Sequence, residues 1–141
     1  IVEKGVAKGK VTKEKGDALL ALIQALEAFP HTRRTLVLSA AGDRRDEDIR
    51  EQGRIVGHAF DRVILYQDAA QRGRADGEVI SLLRDGLRGA TRAREIEAIH
   101  GEFRAIDVAL SALDADDLCL VLVDQVDEAL AHLASRVSGG A

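Results

Sequence analysis

Four short runs rich in β-branched and aliphatic residues, Thr35–Ala40, Arg62–Tyr66, Arg94–Ile99 and Leu118–Val123, alternate along the chain with stretches whose apolar residues recur every three or four positions. Runs of this length suit buried strands, while the three-and-four spacing gathers apolar side chains on one side of a helix. Strand, helix, strand repeats of this kind need right-handed crossovers, which set neighbouring strands parallel and distribute helices over both sheet faces. Few other arrangements can bury so many one-sided helices.

The order therefore predicts an α/β fold, a Rossmann-like three-layer domain with a mostly parallel sheet and helices on both faces. Asp17 is placed to cap a first helix with an apolar stripe of Leu19, Leu20, Ile23, Leu26 and Phe29, stopped by Pro30. Ile49, Gly53, Val56 and Phe60 step by four, three and four, and mark a second helix. Val79, Ile80, Leu83 and Leu87 mark a third, Phe103, Ile106, Leu110 and Leu113 a fourth, and Val126, Leu130, Leu133 and Val137 a last one. Arg94–Ile99 alternates charged and apolar residues, as a strand near a sheet edge would, whereas Leu118–Val123 is apolar throughout and reads as central.

The 141 residues suffice for one domain and not for two ordinary ones. A formal net charge of −4 argues against a concentrated basic face, and an aromatic content of 3% supplies base-stacking platforms poorly, so no nucleic-acid partner is expected. No apolar run reaches membrane-spanning length and no signal-peptide pattern is present, which predicts no membrane partner and a cytoplasmic location. The single cysteine, Cys119, sits inside an apolar run and reads as a buried structural thiol. There is no methionine, so Ile1 is not an initiator and the chain reads as a fragment or processed product. Residues 1–16 hold all the lysines (Lys4, Lys8, Lys10, Lys13 and Lys15), a compositional break read as an edge strand or a flexible segment. The main domain is expected over 17–137, followed by a flexible glycine-containing tail at 138–141.

Two loops follow strands and precede helices, the position at which open α/β sheets bind ligands. In the first, Gly42 permits a sharp turn, and Asp46 or Asp48 is placed to cap the next helix. Arg44 and Arg45 run against the helix dipole there, so they are expected to hold either an anionic ligand or a neighbouring carboxylate such as Asp43. The second loop, Asp68–Glu78, carries Arg72 and Arg74 on either side of Gly73. It reads as the wall of a pocket for an anionic or zwitterionic ligand, or as a solvated turn. Gly5–Thr12 fails as a phosphate-binding loop, because three residues separate its glycines and Val11 follows Lys10. His31, His58, His100 and His132 lack metal-ligand spacing. Asp43, Asp46 and Asp48 lack the calcium-loop pattern, so no metal site is assigned. No nucleophile and base pair is legible, and no catalytic residue is assigned.

Taken together, G-D-R-R-D-E-D-I-R at Gly42–Arg50, R-G-R-x-x-G-E at Arg72–Glu78 and V-D-Q-V-D at Val123–Asp127 resemble the C-terminal domain of the cyanophycin synthetases, within the Mur ligase superfamily. The resemblance implies part of an ATP-dependent carboxylate–amine ligase, in which a carboxylate is activated as an acyl phosphate and attacked by the amine of an amino acid such as arginine. It implies ATP and Mg2+ as cofactors of the full-length enzyme, with none bound tightly by this chain alone. The implied partners are an amino acid or an aspartate–arginine polymer and the central ATP-binding domain of the same enzyme, with homo-oligomerisation left open. By the same resemblance Asp43 and Arg44 fall on the family's Gly-Asp-Arg loop. Asp68 and Arg72 fall on its Asp-x-x-Arg loop, here one residue longer, and Arg74 lies on the same side of the cleft. The family's His-Asn nucleotide motif is replaced by Val11–Asp17, which holds neither residue. A non-catalytic amino-acid or anion-binding module derived from that domain is the competing reading.

Overall fold

The computed structural model describes residues 2–3, 6–7, 16–28, 33–39, 45–67, 77–114, 116–122, 128 and 131–135. In chain order the elements are β1 (Val2–Glu3), β2 (Val6–Ala7), α1 (Gly16–Leu26), β3 (Arg33–Leu38), α2 (Asp46–Ala59), β4 (Arg62–Tyr66), α3 (Glu78–Leu87), β5 (Glu95–Ile99), α4 (Glu102–Ser111) and β6 (Asp117–Val121). Residues 131–135 are also helical. The strands form one sheet in the order β2-β1-β6-β3-β4-β5. β6, β3, β4 and β5 run parallel, while β1 pairs antiparallel with both β6 and β2.

Side chains alternate across the central strands as the period of two requires. Leu36 and Leu38 of β3, Val63 and Leu65 of β4, and Leu118 and Leu120 of β6 pack with Leu26 of α1, Ile49 and Val56 of α2, and Val79, Leu83 and Leu87 of α3. The residues between them, Val37, Ile64, Tyr66, Cys119 and Val121, pack on the opposite face with Ala105, Ile106 and Ala109 of α4 and with Leu133. Helices therefore cover both faces, and β3, β4 and β6 are buried from both sides as parallel strands usually are. β5 lies at the sheet edge with a half-exposed pattern, in agreement with its alternating sequence.

Three details depart from the sequence reading. α1 begins at Gly16, so Asp17 lies inside the helix instead of capping it. Leu20 is 50% exposed: the buried edge of α1 is Leu26, with Ile23 packed against the core. Thr35–Ala40 and Leu118–Val123 are each displaced toward the amino terminus, to Arg33–Leu38 and Asp117–Val121, because Arg33, Arg34 and Asp117 join the ladder as ion-paired residues.

That amino edge of the sheet is filled by its own charges. Arg33 donates to Asp117 at 3.1 Å, Arg62 to Glu97 at 2.6 Å, and Arg34 is paired with Glu27. Asp61 accepts the Arg34 backbone N–H at 2.8 Å and the Arg92 Nε–H at 3.0 Å.

α2 and α3 meet almost backbone to backbone. A Cβ on Gly53 would lie 2.3 Å from the Leu83 carbonyl oxygen, and one on Gly86 would lie 1.9 Å from that of Arg50. Glycine is required at both places, since no side-chain rearrangement relieves a clash with backbone. The two helices whose amino ends follow the arginine loops are thus set at a fixed spacing.

Candidate functional site

β3, β4 and β5 are laid down in one direction across the sheet, and β6 then returns to the far side of β3. Successive connections therefore diverge between β3 and β6, with α2 and α3 over one face and α4 over the other. At such a switch point the loops part and leave a crevice outside the carboxyl ends of the strands. Ser39 at the end of β3, Leu122 at the end of β6 and Tyr66 and Gln67 at the end of β4 define this edge.

The edge is braced from within. The Tyr66 hydroxyl, buried on the α4 face, donates to the Leu122 carbonyl oxygen at 2.8 Å, reaching from β4 past β3 to β6. The Leu122 N–H in turn donates to the Val37 carbonyl at 3.0 Å. Gln67 Oε1 accepts the Gly77 N–H at 2.6 Å, which ties together the two ends of the segment 68–76. Gly77 is the N-cap of α3 with φ +79°, a left-handed conformation suited to glycine. Ser39 is fully buried, and its hydroxyl has no hydrogen-bond partner among the described residues.

Arg45 is the N-cap of α2. Its carbonyl accepts the N–H groups of Asp48 and Ile49 at 3.0 and 3.1 Å, but its side chain makes no cap bond. The expected capping by Asp46 or Asp48 is thus replaced: both lie in the first turn, where their charge still offsets the helix dipole. The exposed Arg45 guanidinium donates from Nε and Nη2 to the two Asp48 oxygens, each at 3.1 Å. That hydrogen bond, and then the Asp48 and Glu47 charges, raise the Arg45 pKa above its ordinary value. Water competes for such an exposed pair, so a ligand carboxylate can exchange for Asp48 with little loss.

Of the residues singled out in sequence, Arg45 stands at the carboxyl edge, whereas Asp43, Arg44, Asp68, Arg72 and Arg74 lie outside the described residues. Ser39, Tyr66 and Gln67 were missed. The only signals for them were polar residues ending otherwise apolar strands and a single tyrosine in the chain. His58 accepts the Thr91 N–H at 3.4 Å, and His132 stacks on Phe103 and bonds Asp107 at 2.7 Å. Both histidines are satisfied by local partners. No group of three or more His, Cys, Asp and Glu able to hold a metal occurs among the described residues. No helix among them is long and apolar enough to cross a membrane.

Residues 15–123 match the family model described as Mur ligase, glutamate ligase domain. The chain belongs to this family of ligase C-terminal domains. It is similar to the cyanophycin synthetase of Crocosphaera subtropica, 35% identical over 100 residues, and to that of Synechocystis sp., 33% identical over 106 residues. These matches cover 71% and 75% of the chain but only 12% of each relative. In fold it is similar to the structure of UDP-N-acetylmuramoyl-L-alanyl-D-glutamate--2,6-diaminopimelate ligase. That match has a TM-score of 0.77 and 14% identity, and covers 96% of this chain and 31% of that one.

Proposed function

We propose that the chain is the substrate-presenting C-terminal domain of an ATP-dependent amide ligase resembling cyanophycin synthetase, which adds an amino acid such as arginine to a carboxylate. The observation that carries this reading is the switch point between β3 and β6, with the parallel strands β3 and β4, which precede the arginine-bearing segments in sequence, ending at the same sheet edge. Similarity to cyanophycin synthetases supports this reading.

In this reading residues 17–137 form the ligase-type domain, with the lysine-rich 1–16 before it and the tail 138–141 after it. Asp43, Arg44, Arg45, Asp68, Arg72 and Arg74 present the amino acid or the polymer. The guanidinium groups hold carboxylates in bidentate fashion, and the aspartates hold the cationic end of the incoming amino acid. Activation of the accepting carboxylate as an acyl phosphate is assigned to ATP and Mg2+ held by a preceding domain. The described residues of this chain offer no cluster fit for the metal. What this chain does is orient the amine for attack and keep the amino acid's carboxylate away from the reacting centre.

The test is an NMR titration of the isotope-labelled chain with free arginine and with a short aspartate polymer bearing arginine side chains. Amide shifts clustered at Gly42–Asp48 and Asp68–Glu78, lost in Arg72→Ala, are expected. Shifts confined to other surfaces would overturn the site. Turnover of ATP by the pure chain would overturn the assignment of nucleotide chemistry to another domain.

A further inference from the structure

We draw no further inference here: the strongest candidate, the side-chain cluster of Arg33, Thr35 and Arg62 at the amino edge of the sheet, whose Nε, Oγ1 and Nε atoms are buried without hydrogen-bond partners among the described residues, is already lined by the chain's own carboxylates of Asp117, Glu95 and Glu97, and nothing in the structure shows an opening through which a ligand would replace them.

Discussion

The Tyr66 hydroxyl and the Leu122 carbonyl oxygen, 2.8 Å apart, join the carboxyl ends of two strands that are not neighbours, with β3 lying between them. The bond is fully buried, so neither group has water as a substitute. Removing the hydroxyl in Tyr66→Phe leaves the aromatic packing but strands the carbonyl. The expected cost is about 1–3 kcal/mol, read as a lower urea midpoint at unchanged m-value. A midpoint equal to wild type would mean that the edge is not braced in this way.

The α2–α3 contact sets a second expectation. Gly53→Ala and Gly86→Ala each drive a methyl into a carbonyl oxygen of the facing helix, and overpacking against side chains alone already costs about 1–3 kcal/mol. Both variants should lose more than this, to the point of failing to give a cooperative unfolding transition. Gly89→Ala meets nothing within 4 Å, and its only penalty is the φ of +75°, about 1 kcal/mol. Circular dichroism melts of the three variants separate the two mechanisms.

Asp61 makes stability depend on acid. Partial burial pushes its carboxyl up, but the Arg92 hydrogen bond, the Arg34 amide and the two guanidinium charges together hold it below the ordinary 3.8. A carboxylate with a depressed folded value contributes stability that is present above the unfolded value and disappears as pH falls through the folded one. Asp61→Asn should therefore be less stable than wild type at pH 7, by about 1–3 kcal/mol, with the gap closing below about pH 4. Denaturation midpoints at pH 7, 5 and 3 check this, and a gap that stays constant with pH would contradict it.

Cys119 is fully buried on the α4 face of β6, and burial pushes its thiol up to about 12. The thiolate is the reactive form, so the folded chain should resist a thiol reagent at pH 8 and be labelled quickly in denaturant. Because the folded value is raised, stability is intact below the ordinary thiol range and declines as pH rises toward 12. Rapid labelling of the folded chain would place Cys119 at an open edge instead.

The alternation of apolar runs and amphipathic helices was enough to read the parallel sheet, the edge position of β5 and the burial of β6, because each is a property of a local window. The face of α1 was not readable. Leu19, Leu20, Leu22, Ile23 and Leu26 make the helix apolar nearly all round, so periodicity alone did not reveal that Leu20 faces outward. The cap of α2 was misassigned because aspartate is the usual N-cap. Here the exposed Arg45 takes the position with its side chain held by Asp48 in the first turn. Ser39 and Tyr66 acquire meaning only from strand order: nothing near residue 66 in sequence announces that residue 122 will lie one strand beyond its neighbour.

The glycine contact between α2 and α3 also bears on how such a domain can change its substrate. Because the two helices interlock through main chain at Gly53 and Gly86, their register does not depend on the composition of the segments that lead into them. Substitutions in 40–44 and 68–76 are therefore expected to leave the α2–α3 spacing in place. Under the proposed function, a library confined to those two segments would test whether they set specificity on a helix pair whose spacing is fixed by main chain.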